Sequence, residues 1–540
     1  MERGRWNRQV KEEMQSGWRL TLFLCCIWIV TILYGELIAY WLPLWACSWP
    51  AIGDLPNPDN LVHVAVLADP QLTDRTSHGL SPKSGAFKAI KFYTDLYMLR
   101  AFQKSVLPFK PQIIIFLGDH FDGGPYLTDR EWHDSLMCFK HIFLAGARNY
   151  GIDVHYLSGN HDIGYSGFHS LNPKVISRYE EGFGQRNYHF NVGQVDFVAI
   201  DAQTLDGPLE GKETLSTWDF IKNISKDDRF QARVLLTHIP LYRPDGTPCG
   251  KHRSSPIINQ RITFAEAGRG LKYQNYLSET ASTYLLDLLK PNLVLSGHDH
   301  DQCTVTHTAK HGPVREHTVG TVSWQQGNLY PSFMLLSLHS MPSPNVSNSE
   351  DFVSTQLCFL PKQTHIYIWY IILFVVTLFL LAIWPKNGFQ SWHCYTNAVA
   401  LTTSVAAANY KAAAKEKDED RNREYDMTWD AEDSMHIMKK SIKQSPSTPA
   451  DNVKASAKSA IVMRSTAKKQ NILEKQPYFH LEENSNLLQL DEHPQVQGHA
   501  RYKSKIGMLR IRFIFKSVLF VAAVNVPLYM MLLFKDWMDA

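Results

Sequence analysis

The sequence predicts an α/β protein in which a double sheet flanked by helices is attached to three transmembrane helices. Strand-like and helix-like stretches alternate along residues 61–300 and are followed by a strand-rich end, a pattern typical of sheets covered by helices. Three apolar stretches are each long enough to cross a bilayer core of about 30 Å. The chain has 540 residues, of which 44% are hydrophobic, and a net charge of +3, so it lacks the strongly basic character typical of nucleic-acid binding.

The first apolar stretch, residues 20–45, predicts an uncleaved membrane anchor. It is longer than the apolar core of a signal peptide, which runs about 7–15 residues. Glu36 is the one acidic residue within it, and acids in such helices are costly and often functional, or lie near the membrane interface. Together with the two other stretches it divides the chain into seven parts. In order these are a cytoplasmic N-terminus (1–19), transmembrane helix 1 (20–45), a lumenal domain (50–362), transmembrane helix 2 (366–384), a charged cytoplasmic segment (387–510), transmembrane helix 3 (517–534) and a short lumenal tail (535–540).

The distribution of basic residues predicts which side of the membrane each part faces. Arginine and lysine are frequent in residues 1–19, and short segments rich in them stay in the cytoplasm. The domain at 50–362 then lies in the lumen or outside the cell, where the glycosylation sequons at Asn223 and Asn345 also fall. Residues 387–510 have few clustered apolar side chains to offset the entropy of ordering, so we expect this cytoplasmic segment to be disordered.

Within 50–362 the apolar patterns predict the secondary structure of one α/β domain. Short β-branched runs predict buried parallel strands at 61–68, 113–117, 154–157, 234–236 and 293–295. Apolar residues at helical spacing predict helices at 88–107, 129–147 and 281–289. Alternating apolar residues predict a hairpin of 188–192 and 195–201, and later strands at 304–308, 317–323 and 333–338.

Each of the five predicted parallel strands is followed by polar residues that bind metals in proteins. These residues are Asp69 and Gln71, Asp119 and Asp122, Asn160 and His161, His238, and His298 and His300. Because loops at the carboxyl ends of strands form the ligand sites of open α/β sheets, we expect the five clusters to converge. Carboxylate, amide and imidazole groups suit Mn²⁺, Fe or Zn²⁺, and a bridging carboxylate holds two ions about 3.5–4 Å apart. The sequence therefore predicts a site for two metal ions.

Taken one at a time, most of these clusters are also typical of turns. Two histidines two positions apart, as at His298 and His300, are harder to explain structurally. All five clusters in this order resemble the calcineurin-like metallophosphoesterase superfamily, whose pattern is D-x-H, GD-x-x-D, GNH-[DE], an isolated His and GH-x-H. The resemblance spans roughly residues 61–340 and implies a four-layer αββα sandwich.

The resemblance also implies a role for each polar residue. One metal ion would be bound by Asp69, Gln71, Asp119 and His300. The other would be bound by Asp119, Asn160, His238 and His298, with Asp119 bridging the two. His161 would protonate the leaving group, and Asp122 would hold its imidazole in position.

Gln71 departs from the superfamily pattern, which has histidine at that position in most members. An amide oxygen is a harder and weaker ligand than imidazole, so the first metal should bind less tightly and Mn²⁺ should be favoured over Zn²⁺. Three arrangements agree with the sequence. Gln71 binds the metal through its oxygen, it orients a water that fills this place, or one metal is lost.

Further features narrow the resemblance, namely Asp-Pro-Gln at 69–71, the run at 237–246 and the flanking transmembrane stretches. They are similar to the membrane-bound metallophosphoesterases that remodel glycosylphosphatidylinositol (GPI) anchors. This implies two Mn²⁺ ions, a location in the endoplasmic reticulum, its exit sites or the Golgi, and removal of ethanolamine-phosphate from a mannose of the anchor glycan. The partners would be a GPI glycolipid or GPI-anchored protein, whose transport it would assist, and the lipid bilayer.

Two other functions agree with the same residues. One is a membrane phosphoesterase that acts on phospholipid or phosphoprotein, and the other is a non-catalytic metal-binding transport factor. His161 and Asp122 argue against the second, because a purely structural metal site needs neither.

Four residues near the motifs allow two interpretations each. Arg243 and Lys251 either contact a second phosphate of the glycan or are ordinary surface charges. Cys249 and Cys303 follow motifs that are expected to converge, so they either form a disulfide or remain buried thiols.

Overall fold

The computed structural model of the protein describes residues 2–52, 61–169, 172–227, 232–265, 270–339, 352–383, 425–429, 435–439 and 496–538. The sequon at Asn345 and most of the charged segment 387–510 lie outside these residues. This segment was expected to be disordered. Two parts of it nevertheless pair as antiparallel strands, namely Tyr425–Trp429 and Met435–Lys439. The site lies in a compact unit formed by Gly17–Ile383 and Phe513–Ala540.

The compact unit contains two large β-sheets and the helices that cover them. Its strands are β1 (Leu61–Leu67), β2 (Ile113–Phe116), β3 (Asp153–Tyr156), β4 (Tyr188–Val192), β5 (Val195–Ala199), β6 (Ala232–Leu236), β7 (Ile262–Phe264), β8 (Leu271–Gln274), β9 (Leu293–Ser296), β10 (Cys303–Ala309), β11 (Gly312–Thr318), β12 (Ser332–His339) and β13 (Val353–Phe359). The helices that lie in it or enter it are α1 (Glu2–Glu36), α2 (Leu42–Ala46), α3 (Gly85–Ala101), α4 (Asp129–Phe139), α5 (Ala145–Asn149), α6 (Asn160–Ile163), α7 (Ser166–His169), α8 (Pro173–Phe183), α9 (Lys212–Ile224), α10 (Glu279–Leu289), α11 (Gln363–Ile383) and α12 (Val496–Met538).

Two mixed sheets form the centre of the domain. The first has the order β13-β12-β1-β2-β3, and the second has the order β10-β11-β9-β6-β5-β4. In the first sheet β1, β2 and β3 run parallel. In the second sheet β5, β6 and β9 run parallel. The predicted parallel strands are therefore confirmed, and the loops after β1, β2, β3, β6 and β9 carry the predicted metal ligands.

Packing of the buried side chains shows four layers. Val66 and Ile115 of the first sheet share a core cluster with Phe197 and Val234 of the second, so the sheets pack face to face. A second cluster joins the other face of the first sheet to α3 and α4. A third joins the other face of the second sheet to α9 and α10. The αββα sandwich that the resemblance implied is the observed fold.

The two long helices predicted on the first sheet are each interrupted by one π-helical stretch. Residues Phe102–Val106 follow α3, and residues Lys140–Leu144 lie between α4 and α5. Both stretches are buried, and the rings of Phe102 and Phe143 meet edge to face at 5.3 Å. The predicted spans 88–107 and 129–147 are thus helical. In each of them the hydrogen bonding changes from α-helical to π-helical where the two segments contact each other in the core.

Within the described residues, three helical segments are long and apolar enough to cross a membrane, namely Gln15–Ala46, Gln363–Ile383 and Arg510–Asp536. They contain or overlap the stretches predicted at 20–45, 366–384 and 517–534. The rest of the transmembrane prediction, including its orientation, stays a prediction.

A buried ion cluster joins the membrane helices to the domain. Arg100 of α3 bonds Glu36 at the end of α1, and its Nε donates to Asp536 of α12 at 2.8 Å. Tyr370 of α11 donates to the second oxygen of Glu36 at 2.9 Å. Glu36 is 2% exposed, and its charge is compensated within the protein. The acidic residue predicted to be functional or close to an interface thus lies where all three membrane helices meet the domain.

Two disulfides lie in the domain, one next to this junction and one close to the candidate metal site. Cys249 and Cys303 are bonded, so the first of the two interpretations of these cysteines is confirmed. Cys47, just after α2, is bonded to Cys358 of β13, which the sequence analysis did not predict.

The strand predicted at 317–323 is wrong beyond its first two residues, because β11 ends at Thr318. The following residues turn toward the end of β1 and bond its backbone. Thr321 donates its hydroxyl to the Asp69 carbonyl at 2.6 Å, and the Val322 amide donates to the Ala68 carbonyl at 3.0 Å. Residues 319–323 are buried because they pack against the end of β1, not because they extend a strand.

Candidate dinuclear metal site

The five predicted clusters lie together at the carboxyl ends of the parallel strands. The amide of Gln71 donates to the Asp119 carbonyl at 2.9 Å, which joins the loops after β1 and β2. The amide of His161 donates to the Asp119 carboxylate at 2.8 Å, which adds the loop after β3. The amide of Gly297 donates to the His238 carbonyl at 3.0 Å and so joins the loops after β6 and β9.

The ligand residues have unusual backbone conformations. Of the eight non-glycine residues with left-handed φ in the described ranges, five belong to the predicted site. They are Asp69 (49°), Gln71 (40°), Asp119 (53°), His298 (68°) and His300 (57°). Each such conformation costs on the order of 1–3 kcal/mol and persists only where neighbouring contacts hold it. This concentration of strained backbone is typical of a functional site.

Two motif glycines let the loops approach each other closely. A Cβ added at Gly118, whose φ is +100°, would lie 2.6 Å from Nδ1 of His238. A Cβ added at Gly159 would lie 2.0 Å from a carboxylate oxygen of Asp119. Any side chain at either position would therefore displace a predicted ligand.

The ligand atoms form two groups that share one carboxylate. Atoms of Asp69, Asp119 and His300 lie within 4.8 Å of one another, and so do atoms of Asp119, His238 and His298. Asp119 is fully buried and belongs to both groups. These donors fit two divalent ions bridged by Asp119, in the division that the resemblance implied.

The two amide side chains complete these groups, one in each. The Nε2 atom of Gln71 lies 3.0 Å from Oδ2 of Asp119 and 3.0 Å from Nε2 of His300. A half-turn of this amide puts its oxygen at the same position, next to two ligands of the first ion. In the second group, Oδ1 of Asn160 lies 3.0 Å from Nε2 of His238. Both amides therefore stand within reach of a metal ion.

Backbone carbonyls determine which nitrogen of each imidazole is free to bind a metal. Nδ1 of His238 bonds the Leu117 carbonyl at 2.8 Å, which leaves Nε2 facing Asn160 and Asp119. Nε2 of His298 bonds the Gln274 carbonyl at 3.0 Å, which leaves Nδ1 for the metal. Such contacts fix the tautomer and the orientation of a ligand imidazole.

Burial and mutual charge shift the pKa values of the ligands in opposite directions. Burial raises the pKa of Asp69 to about 8, although His238 opposes this. Burial also acts on Asp119, but the nearby histidines outweigh it and keep the pKa of Asp119 below its usual range. Burial lowers the pKa of His298 to about 3 and of His300 to about 4, so both imidazoles are neutral and ready to bind metal. For His238 burial is outweighed by Asp119, which raises its pKa to about 9.

His161 and Asp122 differ in detail from the expected arrangement. Nδ1 of His161 bonds the backbone carbonyl of Asp122, while the carboxylate of Asp122 is 3.7 Å away. That carboxylate instead accepts from the hydroxyl of Ser77 at 2.5 Å. The His161 side chain is 38% exposed, so its other nitrogen is open to a substrate. Burial lowers the pKa of His161, but Asp119 and Asp122 outweigh it and leave the pKa above its usual value.

Two arginines hold the residue between the last two ligands. Asp299 lies between His298 and His300, and accepts from Arg253 at 2.7 and 2.9 Å and from Arg243 at 2.5 Å. Arg243 is 2% exposed, so it is neither a surface charge nor an open phosphate contact, which corrects both interpretations of this residue. Lys251 is exposed. The sequence analysis missed Arg253 and Asp299, although Asp299 lies inside the GH-x-H motif.

A further buried carboxylate joins the second and third motifs. Asp162 accepts from the amides of His120 and Gly159 at 2.8 and 2.9 Å, and from the His120 imidazole at 2.9 Å. It is 1% exposed and belongs to neither of the two candidate ligand groups. Asp162 therefore orders the loops rather than binding the ions.

The fold and the two overlapping ligand groups define a metal-dependent phosphoesterase. The calcineurin-like phosphoesterase family matches residues 62–302, a range that includes every predicted ligand. The chain is 30% identical to metallophosphoesterase 1 of Cricetulus griseus over 398 residues, covering 69% of this chain and 93% of that protein. It is 26% identical to cell division control protein 1 of Saccharomyces cerevisiae over 389 residues, covering 68% and 76% of the two chains. The protein belongs to the calcineurin-like metallophosphoesterases.

A third relative agrees with this assignment. The metallophosphoesterase 1 homolog of Drosophila melanogaster is 27% identical over 362 residues, which cover 63% of this chain and 88% of that protein. The chain thus spans most of the length of each of these relatives.

Proposed function

We propose that the protein is a phosphodiesterase that removes ethanolamine-phosphate from a mannose of the GPI-anchor glycan. The observation that carries the proposal is the shared position of Asp119 in two complete ligand groups, because two bridged ions are suited to phosphoester hydrolysis. The choice of substrate follows the resemblance of the Asp-Pro-Gln motif and the flanking helices to the GPI-remodelling enzymes. It is further supported by the attachment of the domain to apolar helices on both sides.

The residues of the site would have different roles in the reaction. Two bound ions would neutralise the phosphate charge and acidify the attacking water. The phosphate-binding centre would be held in a fixed geometry by Asp69, Asp119 and the three ligand histidines. Their loops are connected by hydrogen bonds of the backbone. Asn160 and Gln71 would complete the two groups without adding negative charge that repels the substrate.

His161 would act on the leaving group. Its Nδ1 is fixed by the Asp122 carbonyl, and its raised pKa favours the protonated form near neutral pH. When the bond between phosphorus and the mannose oxygen breaks, the imidazole would give its proton to that oxygen. Such a positioned acid contributes about 10²–10⁴ in rate.

We further propose Mn²⁺ as the working metal and the lumen of the endoplasmic reticulum or Golgi as the location. The amide at Gln71 replaces a softer imidazole, and hard oxygen ligands favour Mn²⁺ over Zn²⁺. The basic N-terminus supports a cytoplasmic start and a lumenal domain. Protease added to sealed microsomes should cut within 387–510 and spare 50–362, and the opposite pattern would reverse the orientation.

The substrate is tested with the full chain purified in detergent and supplied with Mn²⁺. We expect it to release ethanolamine-phosphate from a synthetic mannose-containing GPI glycolipid, detected by mass spectrometry, and the metal-site variant Asp119→Asn to release none. Diacyl phospholipids and a phosphopeptide serve as competing substrates. Faster cleavage of either would favour the alternative membrane phosphoesterase. Binding of metal with no turnover on any of them would favour a non-catalytic factor.

A further inference from the structure

A pocket lies where the first two membrane helices meet the domain. It has a volume of about 600 Å³, within the range of roughly 300–1,000 Å³ that is typical of ligand sites. We call it the interface pocket. Its walls come from the end of α1, from α2, from β13 and from the first two turns of α11. Tyr34, Leu42, Phe359, Ile366 and Trp369 are among the residues that line it.

The walls of the pocket include exposed aromatic side chains of the first two membrane helices. Tyr34 and Trp369 are 46% and 53% exposed, and they lie on helices apolar enough to cross a membrane. Trp369 is on the second turn of α11, and Trp41 and Trp45 lie just beyond α1 at the same end of the membrane segments. Trp and Tyr are enriched at the level of lipid headgroups. The pocket is therefore at the depth where the acyl chains and the headgroup of a lipid meet.

The rim of the pocket on the domain side carries one lysine and two histidines. His252, Lys362 and His365 line it and are exposed. Among the described residues that line the pocket, none is acidic. The ammonium of Lys362 lies 3.9 Å from the centre of the Tyr330 ring, which positions it at the rim. An apolar cavity with a lysine ammonium and hydrogen-bonding imidazoles at its edge is complementary to the acyl chains and the phosphate of a phospholipid.

One short loop connects this pocket to the metal site. His252 lines the pocket, and the next residue, Arg253, bonds Asp299 between the last two metal ligands. The disulfide of Cys249 and Cys303 holds the same loop to the start of β10. A molecule bound in the pocket would therefore lie beside the loop that orders the catalytic centre.

We propose that the interface pocket binds the phosphatidyl end of the membrane-anchored substrate while its glycan reaches the metal site. The acyl chains would lie along Ile366 and Trp369, and the lipid phosphate would contact Lys362 and His365. The inference rests on the proposed function, since it takes the lipid to be that of the GPI glycolipid. It adds a recognition site at the membrane that is separate from the metal ligands.

The test uses the full chain in nanodiscs that contain phosphatidylinositol with a photoreactive acyl chain. Lys362→Gln combined with His365→Gln should reduce cross-linking about fivefold or more, because a lysine near a membrane surface contributes about that factor. Lys83→Gln, an exposed lysine away from the pocket, is the control. Ile366→Trp should fill the cavity, and Ile372→Trp, the same change on an exposed face of α11 outside the pocket, is its matched control.

Measurements of turnover then show whether the lipid bound in the pocket is that of the substrate. The pocket variants should lower the ratio of kcat/KM for lipid-anchored glycan to that for lipid-free glycan about fivefold, mainly through KM, and the controls should not. Cross-linking that is equal in all variants would overturn the pocket and leave the proposed function intact. Cross-linking lost without any change in the ratio would mean that a bystander lipid is bound, and would overturn the inference. Pocket-dependent cross-linking by a wild-type protein that cleaves neither glycan would keep the lipid site and overturn the proposed function.

Discussion

The guanidinium of Arg253 bonds both carboxylate oxygens of Asp299, at 2.7 and 2.9 Å, and Asp299 separates the metal ligands His298 and His300. Both ligands have left-handed backbone conformations that are unfavourable for histidine. Because Asp299 is 6% exposed and ion-paired, it fixes the loop from inside the protein. We therefore expect the metal affinity of the site to depend on a residue that is not itself a predicted ligand.

We expect Arg253→Gln to weaken metal binding without removing a ligand. Loss of the paired hydrogen bonds frees the loop of His298 and His300, and loss of such supporting contacts costs about 10–100-fold in metal affinity. Titration of the metal-free protein with Mn²⁺ measures the change. Lys251→Gln, two residues away and exposed, should bind Mn²⁺ as the wild type does. Equal affinities for all three proteins would show that the loop keeps its geometry without Arg253.

The ion pair between Asp299 and Arg253 is an example of a contact that could not be predicted from the sequence. Strand ends and the candidate ligands that cluster there were predictable because β-branched runs and residues of metal-binding type are local signals. Arg253 lies 46 residues from Asp299, and no periodicity links them. The same applies to Arg100 and Asp536, which are 436 residues apart, and to the unpredicted disulfide of Cys47. Long-range partners depend on the finished fold.

Local sequence patterns also failed to predict the secondary structure of three segments. Residues 319–323 are buried and were predicted as part of a strand, but they pack against the end of β1. Strand β13 was missed although it pairs with β12, and helix α8 was missed although it buries Val175 and Tyr179. In each case the neighbouring element, rather than the sequence of the segment, determines the conformation.

We expect Gln71→His to keep both metal ions and to tighten the first site, with a shift toward Zn²⁺. The Gln71 amide already lies 3.0 Å from both Asp119 and His300, so an imidazole there would join the same ligand group. Imidazole is a better donor to Zn²⁺ than an amide oxygen, whereas Mn²⁺ gains less. Metal analysis and Mn²⁺ titration of activity compare the two proteins. Identical metal contents and titration curves would mean that Gln71 is not a ligand.

Metal binding should release protons and strengthen as the pH rises. In the metal-free protein the pKa of Asp69 is about 8 and that of His238 about 9, so both groups hold a proton at pH 7. Metals bind the deprotonated groups, so apparent affinity should rise about tenfold per pH unit for each proton released, and level off above about pH 9. Calorimetry at pH 7 in two buffers of different ionisation enthalpy counts the protons. Binding heats that do not depend on the buffer would contradict this assignment.

We expect Arg100→Gln to destabilise the full chain by about 3–5 kcal/mol, because it leaves Glu36 charged and buried without its partner. Arg75→Gln removes an exposed pair with Glu131 and should cost less than about 1 kcal/mol. Denaturant unfolding in detergent compares the two variants. Adding Glu36→Gln to Arg100→Gln should recover part of the loss, since the isolated charge is then removed. Similar small losses for both arginine variants would show that water reaches Glu36.

The roles of Asp119 and His161 are separable by experiment. Asp119 belongs to both ligand groups, so Asp119→Asn should lose metal and activity together. His161 contacts Asp119 only through its backbone amide, so His161→Asn should keep both ions and lose about 10²–10⁴ in turnover. The loss should shrink for a nitrophenyl phosphodiester, whose leaving group needs no proton. If His161→Asn instead released the metals, or slowed good and poor leaving groups equally, its imidazole would be a ligand or a substrate contact rather than the acid.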